Sequence, residues 1–137
     1  MIAEQIFKAN SEFKSVTHIA DSDQWLFTFQ DQIYVSALGF WRLLKSNEIL
    51  FVSSDHGHQF GKPKPLDIVE EVTSELKDKT LKEIIISHNT GDLILSLVDD
   101  IKIEIYISSI GYETYEFGIK NVRYIGMGKG ELAIIHS

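Results

Sequence analysis

The residues best equipped for chemistry stand together in one short segment, Ser53-Ser54-Asp55-His56-Gly57-His58. Two histidines at i and i+2 on extended backbone project to the same side. With Asp55 they have the makings of a divalent-metal site, or of a general base with its orienting carboxylate. A catalytic zinc needs three protein ligands, so such a site must draw His18 or His88 from elsewhere in the chain. The competing reading is a solvated loop in which Asp55 and Gly57 make a turn. The segment has no recognised metal-ligand spacing, which favours the loop. His56, His58 and His88 stay as candidate ligands, and no resident cofactor is expected.

Other chemistry is thinner. Arg42 follows Trp41 inside an apolar stretch and needs either an exposed strand end or a carboxylate partner. Asp55 is the expected partner, a pair that would pin the loop to the sheet. Gly126, Gly128 and Gly130 alternate in IGMGKGEL. A phosphate cradle requires a helix after the glycines, and here a strand pattern follows, so an irregular hairpin is expected. Ser53-Ser54 and Ser108-Ser109 lack the nucleophile-elbow pattern. Asp99-Asp100 reads as an exposed turn rather than a catalytic carboxylate pair. The chain has no cysteine, which excludes disulfides, thiolate metal sites and thiol nucleophiles.

The last third is rich in aromatics. Tyr112, Tyr115, Phe117 and Tyr124 are interleaved with Glu113 and Glu116. This is the composition of a protein-binding surface, since tyrosine anchors interfaces. It is also the composition of a core or its rim. The net charge of −7 argues against nucleic acid, which asks for a basic face. The N-terminal residues have neither a basic region nor an apolar run of signal-peptide length. No apolar run approaches the roughly 20 residues of a membrane span. A cytoplasmic placement is therefore expected.

The elements that must position these residues are mostly strands. Period-two alternation marks 16–20, 25–30, 33–38 (with an option to run through Trp41 to Leu44) and 48–53. Trp25, Phe27 and Phe29 share one face. Both prolines fall in the loop 55–65, which cannot be interior strand. One helix follows. Asp67 and Glu70 have capping-box spacing, and Ile68, Val69, Val72 and Leu76 form its apolar stripe. Glu70, Glu71 and Glu75 face away, and Lys77 and Lys79 lie near its end. Strands resume at 83–88, 93–98, 102–107, 115–119, 122–125 and 132–135, with a tight turn at Asp99-Asp100. A short helix is expected over 2–9.

The two halves resemble each other. Val16, Trp25, Asp31 and Ile33 match Ile84, Leu93, Asp99 and Ile101 in spacing. Duplication and a simple recurrence of hairpins both account for this. The sequence thus predicts one domain over 1–137: a first β half (1–54), a loop and helix (55–80) and a second β half (81–137). Its class is α+β, mostly antiparallel β, a curved sheet or partly closed barrel with one amphipathic helix packed on it.

Trp41-Arg42, Ser54-Asp55-His56-Gly57, Thr90-Gly91-Asp92-Leu93, Gly111-Tyr112-Glu113 and Gly130-Glu131-Leu132 together resemble a group of small uncharacterised bacterial proteins. These occur in integron gene cassettes and other mobile-element contexts, and beside polymorphic toxin–immunity loci. The group often has tryptophan after the Tyr-Glu pair, where this chain has Tyr115. The resemblance implies an interaction protein and transfers no catalytic residue. The expected function is a small protein-binding module, immunity-like, rather than an enzyme. Its expected contacts are Glu70, Glu71, Glu75 and Tyr112, Glu113, Tyr115, Glu116. Self-association as a homodimer is a further expectation. The alternative is a small-molecule or metal-binding domain, possibly enzymatic, built on Asp55, His56, His58 and Arg42.

Overall fold

The structure, a computed structural model, describes residues 2–136. It consists of eleven strands and one helix. The strands are β1 (Gln5–Ile19), β2 (Gln24–Phe29), β3 (Tyr34–Ala37), β4 (Trp41–Lys45), β5 (Glu48–Val52), β6 (Thr80–Ile86), β7 (Leu93–Leu97), β8 (Ile101–Ile105), β9 (Tyr115–Ile119), β10 (Val122–Gly126) and β11 (Leu132–His136); the helix is α1 (Ile68–Leu76). The strands form one sheet in the order β11-β10-β9-β3-β2-β1-β6-β7-β8-β4-β5, and every pairing is antiparallel. The sheet does not close, and β5 and β11 are its two edges.

Alternation decides which residues are buried. Ile101, Ile103 and Ile105 point inward with Leu93, Leu95 and Leu97, while Lys102 and Glu104 lie on the other face. Trp25, Phe27 and Phe29 are buried in the same way on β2. The two halves share a single core. Trp41 of β4 stands edge-on to Trp25 and Phe27 of β2, at 5.1 Å from each. Phe7 of β1 meets Phe117 of β9 and Tyr124 of β10 at 5.3 and 4.7 Å. The halves therefore face each other across these aromatics.

Strand β1 holds the sheet together. Its first part, from Gln5 to Glu12, pairs with β6, and its last part, from Phe13 to Ile19, pairs with β2. Register shifts fall between Lys8 and Ser11 and between Phe13 and Ser15. Such bulges bend a strand, which lets β1 pass from one half to the other. The helix expected over residues 2–9 is thus absent. Residues 5–9 are strand, because β6 needs a partner and Phe7 belongs in the core between Phe117 and Tyr124. Tertiary pairing overrides a weak local helix preference there.

Four hairpins turn on left-handed residue pairs: Asp31-Gln32, Ser46-Asn47, Asp99-Asp100 and Lys120-Asn121 all have positive φ at both positions. This is the geometry whose twist matches the flanking strands. The first and third pairs stand 68 residues apart, the second and fourth 74. The likeness of the halves therefore extends to every tight turn. The halves are not side by side, however. β3 continues into β9 of the second half, and β8 continues into β4 of the first. Each half hands its last hairpin to the other, which the spacing of strands could not show.

The helix matches its sequence signature. The Asp67 carboxylate accepts the Glu70 N–H, and Ile68, Val72 and Leu76 are buried against β1 and β5. It ends at Leu76 with Lys77 as its C-cap, so the two lysines stand at its end. Lys79 pairs with Asp99.

Two cross-strand pairs put a tyrosine ring over a glycine. A Cβ on Gly118 would lie 2.2 Å from the Tyr34 ring, and one on Gly126 would lie 2.4 Å from the Tyr115 ring. Gly118→Ala and Gly126→Ala are each expected to lower stability by roughly 1–3 kcal/mol through overpacking, read by urea denaturation. Gln32→Gly, at φ 61°, should instead raise it by about 1 kcal/mol.

Candidate functional site

The Asp55–His58 segment is built into the fold rather than open for metal. A short 3-10 turn over Ser53–Asp55 follows β5, and the Ser53 hydroxyl accepts the Trp41 N–H. His56 then turns toward the core. Its Nδ1 accepts the N–H of Ile68, 3.0 Å away, at the first turn of α1. Its ring stands edge-on to Trp25 at 5.2 Å and to His18 at 4.9 Å. His18 stacks on Trp25 at 4.2 Å, and its Nε2 is 2.7 Å from Asp23. His56 is therefore a helix cap and a packing residue. Its ring leaves only Nε2 uncommitted.

The remaining candidate ligands are elsewhere. His58 is exposed and stacks on Phe60, and His88 is exposed beyond the end of β6. Among the described residues no three His, Asp or Glu side chains are grouped as a metal would need. The candidate ligands His56, His58 and His88 are not brought together. The physical reason is that α1 takes the His56 lone pair.

Arg42 does not pair with Asp55. Its Nε donates to Glu104 on β8 at 2.7 Å, and the guanidinium lies over the Tyr106 ring at 5.3 Å. The Tyr106 hydroxyl donates to the same carboxylate oxygen. Strand register explains the choice, since Arg42 and Glu104 are directly opposed. Burial, followed by the Glu104 carboxylate, pushes the Tyr106 phenol up to about 12. A second trio of the same composition also joins the halves, where β3 meets β9: Tyr34 donates to Glu116, and Arg123 Nη2 donates to it at 3.1 Å. The Arg123 hydrogen bond holds the Glu116 carboxyl below its ordinary value, against the opposing effect of burial.

The aromatic-acidic segment divides. Tyr115 is fully buried, and its hydroxyl donates to the Gly91 carbonyl at 2.9 Å. It is a core residue and no contact for a partner. Glu116 is committed to Tyr34 and Arg123. Tyr112 and Glu113 are exposed. On α1, Glu70 and Glu71 are exposed, whereas Glu75 is half-buried and paired with Lys45 at 3.1 Å.

A different grouping emerges where the connections between the halves cross. Gly39, between β3 and β4, touches the 106–114 connection between β8 and β9; a Cβ there would lie 2.6 Å from Thr114 and 2.8 Å from Ser108. Around this crossing the apolar side chains turn outward. Ile110 and Tyr112 are 82% and 80% exposed, and Leu38, Phe40 and Met127 are also exposed. The Ser109 hydroxyl accepts the N–H groups of Gly111 and Tyr112, which fixes the loop that carries them. Beside it lies an open concavity of about 830 Å³, lined in part by Asp92, Tyr106, Ile107, Ile110 and Lys129. Asp92 is already committed, accepting the Ile107 N–H at 2.7 Å. The sequence signal for this surface was present in Tyr112 and Glu113. Leu38, Phe40 and Ile110 were missed, because no local pattern shows that the two connections carrying them cross.

No protein-family model, curated protein or solved structure matches this chain.

Two outcomes follow from the committed groups. His56→Ala removes the acceptor for Ile68 N–H and should cost about 1 kcal/mol, read by thermal denaturation, with His56→Asn recovering part of it. The folded-state pKa of Glu116 lies below its unfolded value, so its stabilisation is full above the ordinary glutamate range and is lost as pH falls through the folded value. Glu116→Gln should therefore flatten the acid limb of a stability-versus-pH curve.

Proposed function

We propose that this protein is a small protein-binding module, immunity-like in action, which neutralises a partner by covering it with the surface at the crossing of its two halves. The carrying observation is the outward-turned set Ile110 and Tyr112, on a loop that the Ser109 hydroxyl holds in place, with Leu38 and Phe40 on the connection that crosses it. Apolar side chains exposed to this degree on an ordered loop are the anatomy of an interface centre. Glu113 and Glu131, exposed beside them, suit a basic rim on the partner. The chemistry of the molecule supports binding over catalysis. His56, Arg42, Asp92 and Glu116 all have partners inside the fold. The resemblance to proteins of toxin–immunity neighbourhoods agrees with this reading.

The test is co-expression with the products of adjacent genes, followed by pull-down. The wild-type chain should capture one of them. Tyr112→Ala and Ile110→Asp, both at exposed positions, should weaken capture about tenfold or more without loss of folding, as removal of an interface anchor does. Capture that is unchanged in both variants, or no captured product, would overturn the proposal.

A further inference from the structure

A second surface lies at the opposite end of the molecule, and it has the form of a vacant strand position. The first part of β1 has a sheet neighbour on one side only. Residues 5–8 pair with β6, and β2 pairs with β1 only from Phe13 onward. Among the described residues, no backbone hydrogen bond occupies the other edge of residues 5–10.

The facing half overhangs this free edge. Phe7 packs on Tyr124 of β10, and β11 lies one strand further out. Tyr124 is directly opposed to Ile134, so the two share the inner face of the sheet. Ile134 is nevertheless 49% exposed. Groove space lies along the edge, in two adjoining depressions of about 420 and 360 Å³. Their walls include Ile6, Ala9, Ile119 and Val122, and both are flanked by Lys8 and Lys120. Of the acids nearby, Glu83 pairs with Lys8 at 2.6 Å and Asp31 accepts the Ser11 hydroxyl, whereas Lys120 forms no ion pair among the described residues.

We infer that this groove receives an extended segment of a partner protein, added as a strand to the free edge of β1, with apolar and acidic residues alternating along it. A strand laid there satisfies the unpaired backbone of residues 5–10. Its inward side chains cover Ile134 and Val122, and an outward one meets Lys120. Lys120 selects an acidic residue in the segment, on a protein whose overall charge of −7 disfavours acidic partners elsewhere. The inference is independent of the surface at the crossing, which lies at the other end of the strands.

The test uses the full chain and two end-blocked heptapeptides, one alternating Val and Glu and one alternating Val and Lys. Binding is followed by amide NMR shifts and amide hydrogen exchange. The Val-Glu peptide should shift and protect amides of residues 5–10, and the Val-Lys peptide should not. Lys120→Glu, on an exposed turn, should weaken Val-Glu binding about tenfold and admit the Val-Lys peptide. Ile134→Glu should weaken binding of the Val-Glu peptide while circular dichroism stays native. Equal binding of both peptides, shifts confined to β5 or β11, self-association through residues 5–10, or no binding at millimolar peptide would each overturn the inference.

Discussion

The structure depends on the crossing of two connections at Gly39. There the three-residue link from β3 to β4 passes against Thr114 and Ser108 of the longer link from β8 to β9. The approach is so close that no side chain fits at residue 39. Because the links cross, β4 pairs with β8 and β9 pairs with β3, and neither half keeps its own last hairpin. The core is common property as a result. Trp41 is paired with Ile105 of the second half while it stands against Trp25 and Phe27 of the first, and Tyr115 is paired with Ala37 of the first half while its hydroxyl reaches the Gly91 carbonyl of the second. Two hairpin meanders that could each have been an open sheet become one interlocked body.

The crossing also explains where polar and apolar groups end up. The tight left-handed turns collect at one end, where they need only short polar residues. The two connections that cross, 38–40 and 106–114, lie at the other. Loops that must pass one another cannot bury every side chain, and Ile110, Tyr112, Leu38 and Phe40 are left outside. The same end carries the His18–Trp25–His56 cluster, in which an imidazole nitrogen of His56 accepts the first N–H of α1. Binding surface and helix anchor are thus both consequences of one topological choice.

Both arginine trios show a polar device repeated on the outer faces. In each, a glutamate accepts from an arginine and a tyrosine. Arg42 and Glu104 lie across adjacent strands, so their meeting follows from register and not from nearness in sequence. This is why Asp55, which flanks the same strand as Arg42, was a reasonable partner from sequence and the wrong one in space.

Much was legible in the sequence by itself. Alternation of Ile101, Ile103 and Ile105 with charged residues decided strand and facing, because a period of two leaves one face to the core. Asp67 and Glu70 located the helix start, since a cap is a local hydrogen bond. The recurrence of Asp31-Gln32 and Asp99-Asp100 located matching turns. Those signals are short-range, and short-range physics is written in neighbouring residues. What the tertiary structure alone decided is long-range. Residues 5–9 became strand because β6 and the Phe117–Tyr124 pair required it. His56 became a cap because α1 arrives beside it, and Tyr115 became core because β9 inserts next to β3. Each outcome turns on which strands pair, and pairing between residues tens of positions apart depends on burial and backbone satisfaction across the whole sheet rather than on any local pattern.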